Sequence, residues 1–214
     1  MSILSLVRKN FSLWSQTLLL AGLSFLLVLG LGIYTNTSAL EVTTRQVATR
    51  GAWQGASFPV ENFQAYTSPF GYRGSPDGNP GQEFHHGLDM AAPEGSYVRN
   101  WWSGSVLEVS DGTNCGTSVI MQSGQWTHVY CHMGGRVESI NGNRTLVDRT
   151  GGIQITEGQR IPAGARIGRV GMTGRTTGPH LHWGLKYSGK WVDPAVVLRA
   201  MYSQQASAGS LSSQ

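Results

Sequence analysis

The alternation of apolar and polar positions changes character along this chain of 214 residues. From Leu18 to Tyr34 it disappears: LLLAGLSFLLVLGLGIY is seventeen residues interrupted by one Ser, and Phe11 to Thr17 extends it with mixed polarity. A helix that is apolar all round has no face for water, and a soluble domain of this size has little to wrap around it. The segment 11–34 is therefore predicted to enter a membrane, as an anchor or a signal. Residues 35–56, with Thr, Asn, Ser, Gln and Gly and no period, read as a linker.

From residue 57 onward short apolar runs appear, among them SYVRNW, GSVLEVS, TSVIMQ, WTHVYCHM, ARIGRVG and HLHWGLKY, separated by Gly, Asn, Asp and Pro. Runs of this length between turn residues predict strands joined by tight turns, hence an all-β domain of antiparallel sheets over 57–202. Only PAVVLRAMY, Pro194 to Tyr202, reads as a short C-terminal helix, with Pro in its first turn and Asp193 before it as a cap. Residues 203–214, SQQASAGSLSSQ, read as a disordered tail.

Composition agrees with this division. The 29 glycines and the 13% charged residues favour short strands over long helices, and the length suits one domain with appendages. The formal charge of +4 owes half its value to Arg8 and Lys9; beyond residue 40 stand 14 basic and 12 acidic residues. That balance is too even and too dispersed for a nucleic-acid partner.

Arg8 and Lys9 precede the apolar run, which places residues 1–10 in the cytoplasm and the remainder outside. Thr37-Ser38-Ala39 offers a cleavage site, but the apolar core exceeds a usual signal core of about 7–15 residues, so a retained anchor is preferred. Export gives Cys115 and Cys131 a meaning. They flank two strands joined at Ser123-Gly124, whose pairing brings them nearly opposite each other, and an oxidising compartment predicts a disulfide. Cys131 as a metal ligand beside His132 is rejected on strand alternation.

All six histidines lie in three clusters: His85 with His86, His128 with His132, and His180 with His182. Asp89 stands four residues beyond the first. Imidazoles and one carboxylate are what a zinc site is made from. In a strand, His180 and His182 project from one face about 6–7 Å apart, a spacing that suits one ligand and one neighbour reaching water or substrate. His85 and Asp89 would be separated by about 13 Å in a straight strand, so the segment must bend, and Gly87 permits it. Two histidines and one carboxylate leave a coordination position open, as a hydrolytic zinc site requires. His132 is the natural third cluster for proton transfer beside it.

The stretches SPFGYR (68–73), FHHGLDMAAPEGSYV (84–98), YCHM (130–133), GMTGRTTGPHLHWGL (171–185) and WVDP (191–194) resemble, in this order, the zinc endopeptidases of the lysostaphin and LytM type, peptidase family M23. The resemblance covers about residues 66–197. It implies a β-sandwich resembling a barrel-sandwich hybrid, with a groove, one Zn²⁺ per chain held by His85, Asp89 and His182, and His132 and His180 flanking an activated water. It also implies hydrolysis of peptide bonds in stem peptides or cross-links of bacterial peptidoglycan, by a metallopeptidase of the cell envelope: periplasmic on a single membrane pass, or secreted if the segment is cleaved. The alternative function is a non-catalytic peptidoglycan-binding or amidase-activating module of the same fold, with cell-wall or envelope-complex proteins as partners. Retention of all five residues favours the enzyme.

Other positions carry open alternatives. The segment 134–152 is longer than the family's usual connection and reads as a lid, a partner loop or an ornament. His86 is exposed or beside the ligands, while His128 shares a strand face with His132 and so either touches substrate or stands idle. Tyr72 and Arg73 line the groove or steady the turn after Ser68-Pro69. Of the adjacent Trp101 and Trp102 only one can be buried.

Overall fold

The computed structural model describes residues 53, 55–78 and 80–211. The proposed membrane segment lies outside the described residues, and among these no helix is long and apolar enough to cross a membrane. The described chain is built from β1 (Ala65–Ser68), β2 (Gly71–Gly74), β3 (Gln82–His85), β4 (Leu88–Ala91), β5 (Tyr97–Arg99), β6 (Gly104–Ser110), β7 (Thr117–Ser123), β8 (Trp126–Met133), β9 (Arg136–Ile140), β10 (Asn143–Asp148), β11 (Ile153–Thr156), β12 (Arg160–Ile161), β13 (Arg166–Arg169), β14 (His180–Tyr187), β15 (Lys190–Val192) and α1 (Pro194–Leu211). The all-β expectation holds, with antiparallel pairing at every ladder.

The main sheet runs β1-β4-β14-β8-β7-β6-β12, with β15 beside β14. Alternation along β14 explains its two faces. Leu181, Trp183 and Leu185 are fully buried and stand opposite Met90, Tyr130 and His128 of the neighbouring strands. His180, His182, Gly184 and Lys186 therefore point the other way. Under the core face lies an aromatic cluster in which Trp101 meets Trp53, Trp126, His128 and Trp183 at centroid distances of 5.4 to 5.8 Å for the tryptophans and 4.9 Å for the imidazole. Trp101 is the buried member of its pair.

Two boundaries differ from the sequence reading. Trp53, assigned to the linker, is 3% exposed and belongs to that aromatic core. The C-terminal helix starts where expected, Asp193 Oδ1 accepting from the Ala195 amide at 2.8 Å as its cap. It then continues to Leu211, through residues 203–211 that were read as tail. Tertiary contact accounts for the extension: Gln205 Nε2 donates to the Trp53 and Ala56 carbonyls at 3.0 and 2.9 Å, so the helix end closes over the domain's first residues.

The segment 134–152 enters the three-stranded sheet β11-β10-β9, which buries Leu146 and Ile155. Asp148, 3% exposed, receives a two-pronged bond from Arg169 of β13, Nε to Oδ2 at 2.6 Å and Nη2 to Oδ1 at 2.8 Å. The segment is thus part of the packed body.

A disulfide joins Cys115 to Cys131 across β7 and β8, sixteen residues apart in sequence. The Cys115 carbonyl also accepts from the His132 amide at 2.8 Å. A Cys115→Ser/Cys131→Ser variant is expected to lose about 3 kcal/mol of unfolding free energy, the chain-entropy value for a loop of this length. Urea unfolding of the oxidised protein and the double variant measures it; equal midpoints would show that the loop is constrained without the bond.

Candidate metal centre and active site

His85 closes β3, Asp89 lies in β4 and His182 in β14. The bend between β3 and β4 at Gly87 brings His85 back over Asp89, and the register pairs His182 directly with Asp89. Asp89 Oδ1 lies 3.0 Å from His85 Nε2 and 2.8 Å from His182 Nδ1, and the two nitrogens are 2.9 Å apart. His85 Nδ1 faces the Pro69 carbonyl at 2.7 Å. A carbonyl only accepts, so the proton of a neutral His85 sits on Nδ1 and leaves Nε2 as a bare lone pair. Two imidazole nitrogens and one carboxylate oxygen directed at one point form a donor set that fits a divalent cation of the zinc type.

His132 and His180 stand beside this triad. His132 Nδ1 donates to the Thr173 carbonyl at 2.9 Å and His180 Nδ1 to the Gly178 carbonyl at 2.8 Å. Their rings are 4.8 Å apart, and His132 is 6.0 Å from the His182 ring. His180 Nε2 comes within 3.6 Å of Asp89 Oδ1. In both rings Nδ1 is thus committed to a backbone carbonyl.

Burial governs the electrostatics. It pushes His132 down to about 4, aided by the nearby His180 and His182 and opposed by the Thr173 carbonyl, so this ring is uncharged at neutral pH. Burial likewise lowers His182 despite its bond to Asp89. For Asp89 burial works upward, but the imidazoles of His182 and His85 beside it outweigh that and hold the carboxyl below the usual carboxylate range.

The five residues line two cavities that share part of their walls. One, of about 370 Å³, is bordered by Thr67, Ser68, Asp77, Thr176 and Thr177; the other, of about 320 Å³, by Phe84, His86, Val129, Trp191 and the disulfide. His132, His182, Arg73 and Arg175 border both, so a hydroxyl-rich arm and an aromatic arm meet at the triad. None of residues 134–152 lines either cavity, which argues against a lid.

His86 is exposed and lies between Phe84 and Trp191, its ring tilted against theirs at centroid distances of 4.8 and 5.0 Å. His128 corrects the sequence reading. It is fully buried, with its ring pushed down to about 3 by burial, and cannot meet a substrate. Strand alternation misplaced it because β8 carries a bulge against β7, and His132 adopts φ 60°, which turns its side chain off the core face into the cleft. The same irregularity lets Cys131 and His132 both border the cleft, so the alternation argument against Cys131 as a ligand fails, while the disulfide expected from strand pairing and export is present.

Sequence reasoning gave no role to Thr173. Its carbonyl orients His132, and its hydroxyl accepts from the Thr117 amide and donates to the Met133 carbonyl, both at 2.8 Å. It lies inside the quoted GMTG stretch, but a backbone acceptor leaves no residue-specific signal.

A two-histidine, one-carboxylate cluster with two further imidazoles at a cleft is the arrangement that a hydrolase-type metal centre would use. Comparison with known proteins makes this specific: the model of peptidase family M23 matches residues 83–194, and the chain belongs to that family. It is 33% identical over 131 residues to the DD-carboxypeptidase/endopeptidase Mpg of Neisseria meningitidis serogroup B, covering 61% of this chain and 26% of that one. It is 32% identical over 110 residues to the peptidoglycan DD-endopeptidase ShyA of Vibrio cholerae, covering 51% and 22%. The match spans about a quarter of these relatives' length. Similar solved structures include a zinc-containing peptidase from Vibrio cholerae (27% identity, 67% of this chain and 38% of that one, TM-score 0.49). Another is the catalytic domain of lysostaphin from Staphylococcus simulans (25%, 63% and 92%, TM-score 0.46).

Proposed function

We propose that the chain is an exported, membrane-tethered zinc metalloendopeptidase that hydrolyses peptide bonds in the stem peptides or cross-links of bacterial peptidoglycan. The observation that carries this reading is the convergence of His85 Nε2, Asp89 Oδ1 and His182 Nδ1 at the junction of two open cavities, with two further imidazoles beside them. Family membership and the named activities of Mpg and ShyA support the substrate class. The apolar run at 18–34 and the disulfide support export.

A zinc ion held by the triad supplies a Lewis acid that polarises the scissile carbonyl and lowers the pKa of water. The remaining work belongs to the chain. His132 and His180, each fixed through Nδ1 by a backbone carbonyl, present Nε2 to the cleft, where one takes a proton from the attacking water and the other faces the charge growing on the carbonyl oxygen. The hydroxyl-rich arm offers partners for a peptide backbone and the aromatic arm offers flat apolar faces. Incubating the purified protein with isolated peptidoglycan, with and without a chelator, tests the reading. Mass spectrometry is expected to find new peptide ends only without chelator; an intact sacculus in both cases would sink the enzyme and leave a binding module.

A further inference from the structure

Asp89 has two oxygens with different surroundings. Oδ1 faces the three histidines His85, His180 and His182. Oδ2 is held by Arg73, whose Nη1 donates to it at 3.0 Å. Arg73 lies in β2 opposite Glu83 of β3, on the face of the hairpin turned toward Asp89. The same Nη1 donates to Ser68 Oγ at 2.6 Å, while Nε and Nη2 fork onto Glu83 Oε1 at 3.3 and 3.2 Å. Glu83 Oε2 in turn accepts from Arg175 Nη1 at 2.8 Å. A guanidinium so tethered has little freedom to leave the carboxylate, and its side chain is only 23% exposed.

From this geometry we infer that Arg73 is a positioning residue for the metal centre. By occupying Oδ2 it makes Asp89 present a single oxygen to the ion, and it gives the buried carboxylate a cationic partner whether or not the ion is bound. The inference rests on the metal reading above. The physical reason is that a free carboxylate can bind a cation through one oxygen or both, and two-oxygen binding would take up the position that a hydrolytic site must keep open. Partners that orient ligands in this way are typically worth about 10–100-fold in metal affinity.

The test uses the full chain and zinc itself, in competition with a chromophoric chelator, together with the visible spectrum of the cobalt-substituted protein as a report on coordination. Arg73→Ala is expected to bind zinc about 10–100-fold more weakly and to shift the cobalt bands. Arg73→Gln, which keeps most of the volume and drops the charge, should do the same and decides the matter if the alanine variant does not fold. Arg73→Lys, able to make one charged bond to Oδ2, should recover part of the affinity. Glu83→Gln separates positioning from general support of the hairpin, since it weakens the β2–β3 pair but leaves the Asp89 contact, and it should cost far less than Arg73→Gln. The inference is overturned if Arg73→Gln retains wild-type affinity and spectrum, or if Glu83→Gln matches its loss. A wild-type chain that takes up no zinc overturns the metal reading itself, a result distinct from a loss confined to the variants.

Discussion

Replacing His182 with Ala is expected to leave the protein without bound zinc, whereas His180→Ala keeps the metal and loses about 10²–10⁴-fold in turnover. The two side chains share one face of β14, two residues apart, yet their surroundings differ. His182 directs Nδ1 at Asp89 Oδ1 from 2.8 Å and at His85 Nε2 from 2.9 Å. His180 has Nδ1 committed to the Gly178 carbonyl and its Nε2 remains 3.6 Å from Asp89. On the proposed roles, removing His182 leaves two ligands, whereas removing His180 leaves three and takes away a proton-transfer group. Metal analysis of the dialysed variants, paired with turnover on peptidoglycan fragments, separates the roles. Two equally empty proteins would contradict the division.

Gly87→Ala should be nearly as damaging to activity, for a reason the sequence does not display. A Cβ at this position would lie 2.6 Å from Cε1 and Nε2 of His182 and 2.8 Å from the Trp183 carbonyl oxygen. The imidazole can swing away only by abandoning the triad, and the carbonyl belongs to a central strand that is paired on both sides. Displacement of a reacting group by about 1 Å costs on the order of 100-fold, so turnover is expected to fall by at least that factor together with zinc affinity. Kinetics and chelator competition on the alanine variant check it; wild-type values for both would mean that the β3–β4 bend relaxes without moving His182.

Gly87 shows how far a sequence reading reaches. The bend between His85 and Asp89 follows from spacing alone, because a straight strand cannot bring them together. Its glycine is required by close approach to a ring 95 positions further along the chain, a fact of three dimensions. Strands such as β6, β7, β8 and β14 are legible because their apolar runs are seven or eight residues long and bounded by turn residues. The short β2, β3 and β12 are not, since they are two to four residues long and sit among Gly and Pro. His128 was misplaced because alternation assumes a regular strand, and the bulge in β8 breaks that assumption within four residues. The five candidate residues were singled out by side-chain chemistry and motif order, and the fold brings them together. The carbonyls of Pro69, Thr173 and Gly178, which set the imidazole protons, were hidden because any residue supplies one.

The pairing of β4 with β14 has a further consequence, for how the chain comes to its native state. His85 and His182 are 97 residues apart in sequence, so the triad does not exist until strands from the two ends of the domain have met. Such distant pairing is slow to form, because the closure entropy of a long loop is lost before any contact rewards it. An ion taken up there acts as a clasp: it does not guide the early search, but it slows the parting of the finished ladder. Since it binds only the closed form, each tenfold rise in its free concentration above the dissociation constant deepens the native well by about 1.4 kcal/mol.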